Sequence, residues 1–199
     1  MTRGTPIEVL VPHAVRLLGY ADTACVAERL GLPEAEVHEN LLDAQASGRV
    51  GWSEFDGDGG WSPTTRGARH SESLLAAELD DAGARTAVEE VHRDFLPLND
   101  EVSAACTAWQ LTELGVRAEP VTALATLAAL EGPAAALVGL EERLVAHLER
   151  FAGYHGRFAE ALEAARDDTA WITAADRDSC HRVWFELHED LIATLGLSR

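Results

Sequence analysis

Residues 26–50 read "VAERLGLPEAEVHENLLDAQASGRV", and the fold turns on how this stretch is parsed. Val26 and Leu30 form a short apolar stripe, with Asp22 as N-cap upstream and Gly31 as the stop. Pro33 sits where a second helix starts, because a missing N–H costs nothing there. Val37, Leu41, Leu42 and Ala44 form the inner face of that helix, and Gly48 ends it. Two short helices joined by a tight glycine turn make a helix–turn–helix.

Working outward, His13 to Tyr20 reads as a preceding helix with Ala14, Leu17 and Leu18 on one side. After the quoted stretch, Val50, Trp52 and Phe55 suggest a strand. "DGDGG" at 56–60 supplies residues that accept positive φ in a tight turn, Trp61 opens a returning strand and Pro63 ends it. From His70 onward the periodicity is helical almost throughout. It predicts helices near 73–96, 98–113, 121–131, 133–151, 155–167 and 174–196, broken at Pro97, Gly115 to Pro120, Gly132-Pro133, Gly153 and Asp167-Asp168. Asn99 reads as an N-cap, and Thr173 with Asp176 resembles another. The expected architecture is mainly α: three helices and a hairpin over 1–70, then an all-α bundle over 71–199.

Charge sets the function classes. The 199 residues carry a formal charge of −18, with 16 basic residues, all Arg. Such a surface repels nucleic acid and anionic membranes at long range. Cys25, Cys106 and Cys180 are isolated, which implies no disulfide or zinc framework. There is no signal-peptide pattern and no apolar run read as long enough to span a bilayer, so the expectation is a cytoplasmic chain with reduced thiols.

Residues 10–70 resemble the MarR-like winged-helix regulators of bacteria. The helix–turn–helix, the hairpin and "WSPTTRG" at 61–67, similar to the segment that closes the wing in that family, carry the resemblance. It implies a homodimer that lays its third helix in the major groove and its wing near the minor groove, with a small ligand changing the spacing of the reading helices. The segments "AACTAWQL" (104–111) and "DSCHRVWFELHEDLIATLG" (178–196) resemble a helical domain that accompanies winged helices in some actinobacterial regulators and in chains fused to pyruvate phosphate dikinase-like enzymes.

The chain departs from that pattern in charge. Non-specific DNA affinity comes chiefly from Arg and Lys neutralising phosphates. The early turns of the third helix instead offer Glu34, Glu36, His38, Glu39 and Asn40, and the hairpin tip offers Asp56 and Asp58. The DNA-contact candidates are Arg29, His38, Asn40, Arg66 and Arg69. Arg3, Arg16 and Arg49 are the remaining cations of this half. Three readings compete: a reader assisted by arginines elsewhere, a retired reader kept for packing, and an acidic face for a basic partner.

In the helical half, His181, Trp184, His188, Leu191 and Leu195 fall along one face of the last helix, which the leucines mark as buried. Val102, Cys106 and Trp109 form a similar face. Cys106, Trp109, His181, Trp184 and His188 are therefore candidates to line a small-molecule pocket, set against the plainer reading of core side chains. His181 and His188 stand about 10.5 Å apart along a helix, too far to share one metal ion. Glu186, Glu189 and Asp190 beside His188 could do acid–base work, but no nucleophile or cofactor loop accompanies them, so neither an enzyme nor a cofactor is expected.

Overall fold

In the computed structural model, residues 4–55 and 57–197 are described. Arg3 and Asp56 lie outside the described residues. The chain is mainly helical, with one two-stranded antiparallel sheet. The described residues fall into two compact units: one runs to Arg85 and takes in the residues from Ile192 on, the other is Thr86–Leu191.

In the first unit, α1 (Ile7–Leu18) starts six residues earlier than the sequence suggests and runs through Pro12. A proline there removes the bond to the Glu8 carbonyl at a cost of about 3 kcal/mol. Burial of Val9, Val11, Ala14, Val15 and Leu17 offsets it. Helix α2 (Thr23–Leu30) is capped as expected: the Asp22 carboxylate accepts from Cys25 N–H at 2.7 Å, and Gly31 closes it in the left-handed conformation. Helix α3 (Glu34–Ala46) buries Val37, Leu41 and Ala44 against α1 and α2. Leu42 departs from the expected inner face and is 45% exposed. One residue past Leu41 is a rotation of about 100°, which turns it to solvent.

Strands β1 (Val50–Phe55) and β2 (Asp58–Pro63) pair with Trp52 opposite Trp61, the two rings meeting edge to face at 4.9 Å. The returning strand begins three residues earlier than expected, because Gly59 and Gly60 belong to it. A Cβ on Gly59 would lie 2.2 Å from the Trp52 ring and one on Gly60 2.5 Å from the Tyr20 ring. Ala21 and Trp61 exchange two backbone bonds, of 3.1 and 2.8 Å, that pin the hairpin to the α1–α2 connection.

Helix α4 (Thr65–Asp81) follows immediately, capped by the Thr64 hydroxyl accepting from Gly67 N–H. The predicted helix over 73–96 is thus two, separated near Gly83, whose φ is 61°. In the second unit, α5 (Arg85–Glu113) runs straight through Pro97, and α6 (Ala123–Val145) through Gly132 and Pro133. Both prolines were expected to be breaks. Long buried stripes override them: Val88, Val91, Phe95, Val102, Cys106 and Trp109 on α5, and Leu127, Leu130, Leu137, Leu140 and Leu144 on α6. By length and composition α6 is also apolar enough to cross a bilayer, contrary to expectation. A 3-10 turn at Glu149–Phe151 leads to α7 (Tyr154–Ala164), then α8 (Ala170–Thr173) and α9 (Cys180–Leu195). Glu141 caps α7, accepting from Gly153 N–H at 2.9 Å and His155 N–H at 2.5 Å, a carboxylate at the positive end of a helix. Thr173 ends α8 and caps nothing downstream; Ser179 Oγ instead accepts from Arg182 N–H in the first turn of α9.

Candidate functional site

The DNA-contact candidates occupy different parts of the first unit. His38 is exposed on α3, its ring edge-on to Trp61 at 6.4 Å. Asn40 is half-buried, and its amide nitrogen donates to the Glu36 carbonyl at 3.0 Å, which ties the side chain to its own helix. Arg29 is half-buried on α2. Arg66 and Arg69 are exposed one turn apart at the start of α4, and among the described residues neither has an ion-pair partner. An Arg66 guanidinium nitrogen lies 4.0 Å from where a Cβ on Gly48 would sit, just past the end of α3. Arg16 is engaged elsewhere, paired with Glu72 at 2.7 Å, and Arg49 donates to the Ser47 hydroxyl at 2.8 Å. The outward side of α3 presents Glu39 and Asp43 with Leu42, Ala35 and Ala46, while Glu34 and Glu36 are also exposed.

In the second unit, Trp184 is packed as a core side chain. It stacks on Phe95 at 4.9 Å and 17°, meets Phe158 edge-on at 5.4 Å, and its indole N–H donates to Asn99 Oδ1 at 3.3 Å. Asn99 is therefore no N-cap: it lies inside α5 and serves a partner far away in sequence. His188 packs on Phe95 at 5.4 Å and stacks with His92 at 6.3 Å. Cys106 and Cys180 are both buried, which pushes each thiol up to about 12, so neither is a thiolate near neutral pH. Burial also lowers the pKa of His181 and of His92. Among the described residues neither Trp109 nor His181 joins the ring stack, and the Trp109 indole N–H is buried without a hydrogen-bond partner. One open hollow of about 410 Å³ is lined by Val138, Glu141, Glu142, Val145, Ala152 and His155, none of which is a pocket candidate.

On the last helix the acids lie deeper than the histidines of the expected buried face. His181 and His188 are half-buried, whereas Glu186 and Asp190 are 1% exposed. These acids are held by arginines from the segment around α7. Arg150 pairs with Asp190, whose other oxygen accepts from Tyr154 O–H at 3.0 Å. Arg157 bridges Glu186 at 2.8 Å and Asp178 at 2.7 Å, and Arg182 reaches Glu186 at 3.4 Å. Burial opposes the Arg157 charge, but its hydrogen bond to Asp178 and the charges of Glu186 and Asp178 outweigh that and hold its pKa above the ordinary value. With every acid of this set committed to an arginine, the arrangement reads as a structural lock. A spacing signal for it exists: Arg150, Tyr154 and Arg157 recur at four and three residues, Glu186 and Asp190 at four.

No known protein family, curated protein or solved structure matches this chain. Its functional reading therefore rests on the residues and geometry above.

Proposed function

We propose that this chain is a transcription-regulator-type protein. In this reading α1, α2, α3 and the hairpin form a winged helix–turn–helix, and the helical unit pairs two copies and responds to a small ligand. The observation that carries it is the order α1–α2–α3–β1–β2, with α3 packed on α1 and α2 and its outward residues in solvent. DNA contact comes chiefly from Arg66 and Arg69 at the start of α4, because Asn40 is spent on Glu36 and the outward side of α3 is acidic. Few phosphates are then neutralised, so affinity is weak and falls gently with salt.

The test is a salt titration of binding to mixed genomic fragments, starting at about 50 mM where phosphate contacts are strongest. Weak binding that disappears in an Arg66→Ala/Arg69→Ala variant supports the reading. No binding at the lowest salt sinks it. That outcome would favour a second reading, motivated by Glu39 and Asp43 on the outward side of α3: an accessory protein that keeps the winged-helix shape and works through a protein or small-molecule partner.

A further inference from the structure

Helix α6 is both long and apolar. Its best 18-residue window has a mean hydropathy of 1.6, yet only 39% of that window is buried. One side carries the leucines that pack inward. The other presents Leu124, Ala128, Gly132, Ala135, Val138 and Gly139 to solvent, with Leu124 75% exposed and Val138 39%. Just before the helix, Leu114 and Val116 are exposed by 73% and 67%. A helix apolar on all sides normally belongs in an interior, and exposed aliphatic side chains gathered on one side of it suit a contact site.

Charge and shape say what covers this side. The chain has a formal charge of −18, so two copies repel each other over most of their surface. Between residues 123 and 140 the single ionisable side chain is Glu131, and it is paired with Arg166 at 3.2 Å. On this strip two copies meet with one carboxylate each, and that one is already neutralised by its own arginine. The glycines point the same way. Gly132 and Gly139 each weaken the helix relative to Ala, and a Cβ at either would meet nothing within 4 Å inside the chain. Nothing within one copy needs them bare. The strip is also self-complementary. Antiparallel pairing about Glu131 and Gly132 sets the protruding Leu124 of each copy over the bare backbone of Gly139 in the other, and Ala128 over Ala135, as a two-fold interface requires.

We propose that the solvent side of α6 is the interface through which two copies of this chain pair, helix against antiparallel helix. The inference rests on the reading that the helical unit dimerises and supplies its location.

Sedimentation velocity over a range of concentrations tests it on the full chain. The wild type is expected to sediment as a dimer at micromolar concentration. Ala128→Arg or Ala135→Arg should raise the dissociation constant about a hundredfold or more, since an unpaired guanidinium is trapped in an apolar contact. Ala104→Arg, at an alanine that is also exposed but lies on α5, should leave it unchanged, and helical circular dichroism should be the same in all three. A wild type that stays monomeric at every concentration overturns the proposal, as does a dimer indifferent to both α6 changes. A monomer that floats with phosphatidylcholine vesicles would overturn it in favour of a lipid surface. DNA binding is read separately: a monomer that still binds DNA refutes this interface alone, and a dimer that binds none refutes the DNA reading alone.

Discussion

Arg150 and Asp190 are ion-paired in the interior of the helical unit, with 3% and 2% of their side chains exposed. A buried pair contributes little net stability, but breaking it leaves a desolvated charge. Asp190→Asn should therefore cost about 3–5 kcal/mol in urea unfolding. The double change Arg150→Met/Asp190→Leu should cost much less than either single change. A double variant as unstable as Asp190→Asn would show that Tyr154, which donates to Asp190, carries more of the effect than the arginine.

Asn99 separates the two roles considered for it. As a partner of the Trp184 indole N–H, its loss in Asn99→Ala leaves a buried donor unmatched, at about 1–3 kcal/mol. Asn99→Ser would rescue a capping residue but is too short to reach Trp184. Thermal unfolding of the serine variant should match that of the alanine variant; recovery with serine would restore the capping role.

Gly67 tolerates no side chain. A Cβ there would sit 1.8 Å from the Arg49 carbonyl oxygen, a backbone atom that cannot swing aside. Gly67→Ala should destabilise the unit holding α1 to α4 by about 3 kcal/mol or more, at the upper end for overpacking. Calorimetry would detect the shift, and a wild-type transition would disprove it.

His92 and His181 set an acid limit. Burial lowers the pKa of each in the folded chain. The unfolded chain therefore binds more protons, and stability falls as pH drops below about 6.5 toward the folded-state values, while above that it is fully present. Melting temperatures measured from pH 7.5 to 5.5 should fall, and a His92→Gln/His181→Gln variant should fall less. An equal drop in both proteins would assign the acid sensitivity to other groups.

Glu39 and Asp43 should act as brakes on DNA affinity. Replacing both with Arg adds two potential phosphate contacts and should steepen the salt dependence of log K by about 1.8. Fluorescence anisotropy with a random duplex reads this directly, and an unchanged slope would show that the outward side of α3 never approaches the backbone.

Local signals were legible in the sequence where a single residue sets the geometry. Asp22 and Gly31 bound α2 as their chemistry requires, and the glycines after Asp56 announced the hairpin. Pro97 and Pro133 misled for the converse reason: a local penalty was read as decisive where long apolar stripes on α5 and α6 outweigh it. The lock that ties the segment around α7 to the last helix was missed because its arginines and tyrosine lie 21 to 40 residues from the acids they hold. The acids next to His188 read as groups able to do acid–base work until the arginines opposite them were placed. The acidity of α3 was plain throughout; that Asn40 folds back onto Glu36 was not.

The three cysteines differ sharply in access. Cys25 is exposed at the start of α2, whereas Cys106 and Cys180 are enclosed and protonated at neutral pH. A maleimide fluorophore added to the native protein should therefore attach at one position, in the first turn of α2. No mutagenesis is needed to obtain a singly labelled reporter, and the remaining two thiols become modifiable only on unfolding, which makes their labelling rate a clock for opening of the helical unit.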